Sequence, residues 1–419
     1  MHSVPIALTL FMVAHGWGGG HQVIRERAVA SLPAWQHELL GESASALCND
    51  YLSLQDQHAG GQRPELDAYC LPEGPGVSLH DINDVSRTTI AMRWFLQRIR
   101  DCVQAGEIDE AARYLGVLCH WFEDVGSPTM HATEGFINEP FLRELLPPSG
   151  DQQRRHYLYG AYGIADTGHY DLPPEEDYAP VLLGRTIPEA ALHMQRRQKL
   201  QARGGRQAIV PLVMAMQHGY TEEAARIRGR LLAEQAETSA DVVFTALSLA
   251  TDRIEGDTSH LDTVPLTDFV SDYRGGRTSR PWLWVPFLID ACFDTHRDIV
   301  ELQVLSDDGV TSFDRGVGMG TPFALRWTFG PAGVYSRFSV TVGLHPESAT
   351  EAATVFRLLA NGEEIPHTEP ITAGEPGRAL EVILPAGGDA IELTLQTQLP
   401  EDVSGEGCLA VWGAPRLLK

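Results

Sequence analysis

The chain has 419 residues, of which 43% are hydrophobic and 21% are charged, so it is long enough for two domains with separate cores. Lys and Arg total 32 against 56 Asp and Glu, and the net charge of -24 argues against a broad electrostatic hold on duplex nucleic acid or anionic lipid. No stretch after residue 20 is long and apolar enough to cross a bilayer, which predicts no transmembrane segment.

The first sixteen residues contain an eleven-residue apolar run that begins at Val4 and is followed by the small residue Gly16. This pattern predicts a secretory signal peptide at 1–16, with cleavage before Trp17, and hence a secreted or periplasmic protein. The segment is short and has no Lys or Arg at its start, so the alternative is a buried first helix of the domain.

Six cysteines occur in the chain, and none has the C-x-x-C spacing of a zinc site. If the chain is exported, disulfide bonds can form. Cys48 with Cys70 would close a short loop, and Cys292 with Cys408 would tie the ends of the C-terminal part together. Connectivity does not follow from sequence, so both pairings are hypotheses.

Residues 22–250 space their apolar side chains at three and four, as amphipathic helices do. The clearest segments are VIRERAVASL, TIAMRWFLQRIRDCVQAG, IDEAARYLGVLCHWFEDV, IPEAALHMQRRQKLQ and TEEAARIRGRLLAEQAETSADVVFTALSLA. They predict an all-α first domain at 17–250. Long polar connections at 56–79 and 132–175 lie between the helices, and loops of that length in a compact domain are usually functional.

The pattern changes after Ala250. Residues 251–261 are polar and predict a linker, and from 262 onward short segments alternate apolar and polar side chains between turns such as NGEE and AGGD. Many short strands at regular intervals indicate a β-sandwich at 262–419. The predicted fold class is therefore multidomain, with an all-α domain followed by an all-β sandwich.

The segment HWFEDVGSPTMHATE carries the strongest sign of chemistry. His120 and Asp124 are four residues apart on a helix, so they differ by only about 40° around its axis and can face one ion. Pro128 ends the helix, and the chain turns back to bring His131 near the same region. Nitrogen and carboxylate oxygen are ligands that suit zinc. The alternative for such a pair is a surface hydrogen bond or a helix cap, but apolar neighbours bury this helix, and a metal would satisfy the buried polar groups.

The segment LGVLCHWFEDVGSPTMHA resembles the signature of the zinc-dependent phospholipase C and single-strand nuclease superfamily. WGGGHQVIRERAVASLP resembles the amino terminus of that family, in which an N-terminal Trp is followed within a few residues by His. The resemblance covers the helical domain. It implies a zinc-dependent phosphoric ester hydrolase with up to three Zn²⁺ ions.

The resemblance assigns metal ligands to individual residues. Trp17 would bind the first zinc through its free α-amino group and carbonyl oxygen, with His21 beside it and Asp124 bridging to a second zinc. The second zinc would also take His120, His80 and an aspartate that precedes His80 in the chain.

Two aspartates qualify as the second zinc's upstream ligand. Asp56 lies at a helix end in YLSLQDQH, whereas Asp67 has the shorter gap to His80 that is usual in the family. We prefer Asp56, and the resemblance implies a catalytic role for Asp56 and Asp124.

The third zinc is where the sequence departs from the family pattern. His131 matches, although its gap from Asp124 is one residue longer than usual. The family then has a His followed four residues later by Glu or Asp, and no such pair occurs between 135 and 200. We take His156 as the candidate histidine. The other candidates for this site are His169, Glu134, Asp166 and Asp171.

The implied reaction is hydrolysis of a phosphodiester by metal-activated water, with phospholipid head groups or single-stranded nucleic acid as substrates of relatives. The sequence leaves open which of the two is used. The alternative is a non-enzymatic, glycan-binding surface protein that keeps a degenerate structural zinc site.

The C-terminal part resembles the NPCBM type of carbohydrate-binding module. The segments that carry this resemblance are VPLTDF, RGVGMGTPFALRWTF, YSRFSVTVGLHP, VFRLLANGEEI and CLAVWGAPRLL. It implies a carbohydrate ligand, held by aromatic stacking, and Trp327, Tyr335 and Trp412 are available for that role. Strand alternation places most of these rings in the core, and the alternative is a structural or targeting sandwich without sugar affinity.

Overall fold

The structure is a computed structural model that describes residues 17, 19–59, 63–70, 82–128, 170–173, 178–272 and 278–419. The predicted signal peptide at 1–16 lies outside the described residues. So do three predicted ligands, His80, His131 and His156, and three of the alternatives, Glu134, Asp166 and His169.

The described residues form nine α-helices, all of which end by Ala250. They are α1 (Gly20–Ala30), α2 (Ala34–Leu40), α3 (Ser43–Cys48), α4 (Leu54–Ala59), α5 (Asp67–Cys70), α6 (Val85–Ala105), α7 (Ile108–Gly126), α8 (Ile187–Gln217) and α9 (Thr221–Ala250). The five segments with clear helical periodicity form α1, α6, α7, α8 and α9. None of the described helices has the length and apolarity that a membrane span needs.

Helix α7 is the most buried of the helices that carry the predicted ligands. Every residue from Tyr114 to Gly126 is buried. Gly116 lets the chain between α3 and α4 approach, because a Cβ at this position would lie 2.7 Å from the carbonyl oxygen of Tyr51. This close approach brings the next residue, Leu52, beside the part of α7 that carries His120.

The C-terminal part contains fifteen strands among its described residues. They are β1 (Thr263–Pro265), β2 (Phe287–Ile289), β3 (Cys292–Phe293), β4 (Ile299–Val300), β5 (Leu302–Ser306), β6 (Gly309–Phe313), β7 (Gly316–Met319), β8 (Phe323–Phe329), β9 (Arg337–Leu344), β10 (Ala353–Ala360), β11 (Glu363–His367), β12 (Ile371–Thr372), β13 (Arg378–Ile383), β14 (Ile391–Gln398) and β15 (Ala410–Leu418). The turn predicted from NGEE joins β10 to β11, with Asn361 and Gly362 both at positive φ, as a two-residue hairpin requires.

Most strands form two antiparallel sheets. The larger has the order β13-β9-β15-β7-β2, with β1 paired to β15, and the smaller has the order β11-β10-β14-β8, with β12 paired to β10. Alternate side chains of both sheets meet in one core, which contains Val342 and Trp412 from the larger sheet and Leu358 and Leu395 from the smaller. The predicted all-α region followed by a β-sandwich is confirmed.

The outer face of the larger sheet is partly covered by the hairpin β5–β6. Leu302 and Val304 of this hairpin pack with Val411 of β15 in a second, smaller core that also contains Trp282. The rest of this outer face stays open beside Phe313, the last residue of β6.

The chain forms two compact units. The described parts of Met1–Ile82, Trp94–Leu182 and Gln201–Arg253 make the first. The second contains the sandwich together with two helical segments, at Asn83–Arg93 and Leu183–Leu200. The start of α8 therefore belongs to the same unit as the strands.

In the second unit Glu189 of α8 is buried in an ion-pair network. Its Oε1 lies 2.6 Å from Nζ of Lys419, and its Oε2 accepts a hydrogen bond of 2.7 Å from the backbone N–H of Arg185. Burial alone would raise the pKa of Glu189, but the hydrogen bonds from Lys419 and Arg185 lower it below its ordinary value. A carboxyl with a lowered pKa stabilises the fold above its unfolded pKa, and this contribution is lost as the pH falls through the folded value.

We therefore expect Glu189→Gln to lower the free energy of unfolding by about 1–3 kcal/mol near neutral pH. The difference from the wild type should shrink as the pH falls from about 4.3, the ordinary glutamate value, towards about 3. Urea unfolding at the two pH values measures both. Glu401→Gln, at an exposed position, should change neither value. An equal loss at both pH values would contradict an ionic role for Glu189.

Candidate metal centre

Five of the predicted ligands lie among the described residues, and the fold brings all five together. They are Trp17, His21, Asp56, His120 and Asp124. His21 is on α1, Asp56 on α4, and His120 and Asp124 on α7. All are buried except Asp56, whose side chain is 24% exposed.

Both imidazoles face the carboxylate of Asp124. Nε2 of His21 is 3.4 Å from Oδ1 of Asp124, and Nε2 of His120 is 3.3 Å from Oδ2 of the same residue. The two rings stack with their centroids 4.4 Å apart. Oδ1 of Asp56 lies 3.5 Å from Nε2 of His120. Each oxygen of Asp124 thus faces a different histidine.

These separations match the geometry of a zinc site. Zinc bonds to His nitrogen and carboxylate oxygen are about 2.0–2.1 Å long, so neighbouring ligand atoms of a tetrahedral site lie about 3.3–3.4 Å apart. Charge-assisted hydrogen bonds are shorter, at about 2.7–2.9 Å. Within the described residues, the buried Nε2 of His120 makes no hydrogen bond. The donor set and its spacing therefore fit a metal ion.

Asp67 lies elsewhere. Its Oδ1 is 2.8 Å from Nε2 of His58, and its side chain is 56% exposed. Asp56 is therefore the aspartate beside His120. Asp171, an alternative for the third site, is exposed, and its backbone N–H donates to the carbonyl of Ala225.

Both histidines are oriented through their other ring nitrogen. Nδ1 of His120 lies 2.8 Å from the carbonyl oxygen of Leu52, and Nδ1 of His21 lies 2.6 Å from Oε2 of Glu123. A proton on each Nδ1 makes these two contacts hydrogen bonds and leaves Nε2 with a lone pair. Such partners fix the tautomer and the ring orientation of metal-binding histidines.

Glu123 belongs to a fully buried ion pair with Arg25. Arg25 also donates to two backbone carbonyls, that of Gly116 at 2.7 Å and that of Leu47 at 3.3 Å. Burial alone would raise the pKa of Glu123, but Arg25 and His21 lower it to about 2. Arg25 therefore keeps Glu123 ionised as the acceptor for His21.

Glu123 is also close enough to be considered as a ligand. One ligand atom each from His21, His120 and Glu123 lie within 4.8 Å of one another. However, its two oxygens already contact His21 and Arg25, which favours a positioning role over metal ligation. Sequence reasoning missed both Glu123 and Arg25. The available signal was their position, since Glu123 immediately precedes Asp124 and Arg25 follows His21 by one helical turn.

Trp17 is held by its side chain. The indole is fully buried against Ile24 and Leu231, and its Nε1 donates a hydrogen bond of 2.7 Å to Oε1 of Gln235. The backbone nitrogen of Trp17 donates to Nε2 of His21 at 3.2 Å. The anchored ring thus keeps the main chain of residue 17 beside the cluster.

The cluster favours positive charge between its carboxylates. Burial lowers the pKa of His120, but Asp124 and Asp56 raise it more, and its pKa stands well above the ordinary value. Burial and the neighbouring His120 lower the pKa of His21, but Asp124 and Glu123 raise it more. The pKa of His21 therefore lies above its ordinary value.

The aromatic residues considered for sugar stacking are all in the core. Trp327 and Trp412 have 0% exposure and Tyr335 has 1%. The indole of Trp327 donates to the carbonyl of Phe269, which fixes it inside the sandwich. Trp284, which sequence reasoning did not single out, is 83% exposed.

The six cysteines are buried free thiols, so the two predicted disulfides are not formed in the structure. The thiol of Cys70 donates to the carbonyl of Leu54, and that of Cys408 donates to the carbonyl of Ala353. Burial raises the pKa of the Cys292 thiol to about 12. These cysteines pack as small, protonated hydrophobes.

Residues 275–418 match the family model of the NPCBM/NEW2 domain, which confirms the resemblance of this part of the chain. The match covers less than half of the chain. No curated protein matches the sequence.

Several solved structures are similar to parts of the chain. The CBM51-2 and INT domains of Clostridium perfringens ZmpB are 15% identical, with a TM-score of 0.30, and the match covers 38% of this chain and 31% of that one. The CBM51 of Clostridium perfringens GH95 in complex with methyl-galactose is 18% identical, with a TM-score of 0.30, over 37% of this chain and 99% of that one. The alpha-toxin of Clostridium perfringens strain SWCP is 12% identical, with a TM-score of 0.33, over 94% of this chain and 87% of that one. The chain thus spans about a third of the length of the ZmpB structure.

Proposed function

We propose that the protein is an exported, zinc-dependent phosphoric ester hydrolase whose C-terminal sandwich binds carbohydrate. The observation that carries the enzymatic part is the cluster of His21, His120, Asp124 and Asp56, with nitrogen–oxygen separations of 3.3 to 3.5 Å. Zinc bound there would supply a Lewis acid towards a phosphoryl oxygen and acidify water.

The residues divide into two ligand groups that share Asp124. The first consists of His21, Oδ1 of Asp124 and the main chain of Trp17, and the second consists of His120, Asp56 and Oδ2 of Asp124. We assign His80 to the second group. His131 and His156 are assigned to a third group, so the site would take up to three ions.

Asp56 and Asp124 have different roles in this proposal. Asp124 is 1% exposed, and its carboxylate contributes negative charge to both ligand groups. Asp56 is 24% exposed, so it lies where solvent reaches the cluster. We assign Asp56 to orient the attacking water and accept its proton, and Asp124 to hold the two groups at a fixed separation.

The substrate class is a phosphodiester, either a phospholipid head group or single-stranded nucleic acid. Both substrates contain a phosphate group. A local cluster of metal-binding side chains could bind that phosphate even though the whole chain has a net charge of -24. Parallel assays with phosphatidylcholine vesicles and with single-stranded DNA distinguish the two.

The carbohydrate part rests on the match of residues 275–418 to the NPCBM/NEW2 family model. Carbohydrate binding would bring the hydrolase to a glycan-bearing surface. Export is proposed from the segment 1–16, and the mature chain would then begin at Trp17.

Zinc analysis of the exported protein tests the enzymatic proposal. We expect at least two zinc ions per chain, hydrolysis of bis-p-nitrophenyl phosphate that a chelator abolishes, and recovery of the rate when zinc is returned. Intact mass of the same sample shows whether the chain begins at Trp17. A chain with one zinc or none and no turnover would instead support the non-enzymatic, glycan-binding alternative.

A further inference from the structure

The open part of the larger sheet's outer face forms a groove of about 440 Å³. Its lining comes from β6, β9, β13 and β15.

The strand register places one row of polar side chains across the groove. Ser339 of β9 pairs with Glu381 of β13 on one side and with Arg416 of β15 on the other. Glu381 accepts a hydrogen bond of 2.8 Å from Nη1 of Arg337 and is 56% exposed. The row therefore places the hydroxyl of Ser339 between the carboxylate of Glu381, an acceptor, and the guanidinium of Arg416, a donor.

The neighbouring row has small side chains and makes the floor. Thr341 of β9 pairs with Ala379 on one side and with Gly413 on the other. A Cβ at 413 would lie 2.4 Å from the ring of Phe313, so only glycine allows that ring to lie over the strand. Phe313 thus forms an apolar wall at one end of the floor.

A bulge in β15 creates the polar row. Gly413 of β15 pairs with Thr341 of β9. The next residue of β9 whose side chain faces outward is Ser339, and it pairs with Arg416 instead of residue 415. One extra residue is accommodated here, and Ala414 has a φ of +47°, a left-handed conformation that is costly for alanine. Bulges of this kind redirect a side chain at the cost of regular pairing. Here the bulge turns Arg416 outward, into the groove.

We infer that this groove binds a neutral saccharide, with Glu381, Ser339, Thr341 and Arg416 as hydrogen-bonding groups and Phe313 as the apolar contact. The inference rests on the proposed carbohydrate function and assigns its site. Sugar hydroxyls both donate and accept, so they match a carboxylate, a guanidinium and two hydroxyls on two adjacent rows better than a purely anionic or cationic ligand would. A small floor beside an aromatic edge accommodates the flat face of a sugar ring.

Binding of two probes to the full chain tests the site. Methyl-galactoside and N-acetylglucosamine are titrated by calorimetry and by ligand-detected NMR. Arg416→Ala and Glu381→Gln should each weaken binding of the recognised probe about tenfold or more, because each removes a charged hydrogen-bonding partner. Thr341→Tyr should abolish it by filling the floor.

Matched controls separate a site effect from a folding effect. Glu363→Gln and Thr372→Tyr place the same changes on exposed strand positions outside the groove and should bind like the wild type. Urea unfolding confirms that each variant is folded. Trp284→Ala tests the exposed loop as the alternative site.

The outcomes distinguish the groove from the carbohydrate function. If the folded groove variants bind like the wild type while Trp284→Ala loses binding, the groove is the wrong site and the carbohydrate function stands. If the wild type binds neither probe nor any member of a glycan array, both are overturned.

Discussion

Replacing Asp124 by Asn should reduce hydrolysis of bis-p-nitrophenyl phosphate about a thousandfold. The two oxygens of Asp124 face the two histidines, at 3.4 Å from His21 and 3.3 Å from His120. Asparagine keeps the size but offers one neutral oxygen, and its NH₂ group faces the other imidazole. Metal-ion stabilisation of the transition state is worth several kcal/mol, which corresponds to a rate factor of about this size.

The same variant should also bind less zinc. Elemental analysis after dialysis measures this separately from the rate, and it distinguishes a lost ligand from a lost catalytic group. Asp101→Asn, an exposed change on α6, is the matched control and should keep both zinc and rate. Wild-type zinc content and rate in the Asp124 variant would remove this residue from the metal centre.

The second large effect concerns Arg25. We expect Arg25→Met to lower the free energy of unfolding by about 3–5 kcal/mol, because it leaves Glu123 buried without its cationic partner. The carbonyls of Gly116 and Leu47 would lose their donor as well. Urea unfolding in the presence of chelator measures this effect without a contribution from bound metal.

The double variant Arg25→Met with Glu123→Gln separates stability from metal affinity. Removal of both charges should restore a large part of the lost free energy of unfolding. Zinc affinity should stay about 10–100-fold below the wild type, because His21 loses the carboxylate that orients its ring. Recovery of stability and affinity together would mean that Glu123 has only a structural role.

The sequence was sufficient for the parts of this structure that depend on local patterns. Helical periodicity found the five principal helices, and alternation found the main strands of the sandwich. The pairing of His120 with Asp124 needed only the pitch of one helix. The turn at Asn361 needed only the conformational freedom of Asn-Gly.

Features that depend on contacts between residues far apart in the chain could not be predicted from the sequence. The ion pair of Arg25 with Glu123 joins residues 98 positions apart. Asp56 and Asp67 both precede His80 in the chain, so the sequence offers either one as the ligand. Only the folded path of the chain places Asp56 beside His120. The fold also decides which aromatic rings are buried: Trp282 has 0% exposure and Trp284 has 83%, although they are two residues apart.

The placement of three residues of the candidate site on one helix restricts which changes in length the site tolerates. His120, Glu123 and Asp124 keep their relative directions only while α7 keeps its count of residues. One inserted residue between His120 and Asp124 would rotate the carboxylate by about 100° and move it off the shared face. Homologues that keep the site should therefore differ in this stretch by substitutions alone, and their changes in length should fall in the connections between helices.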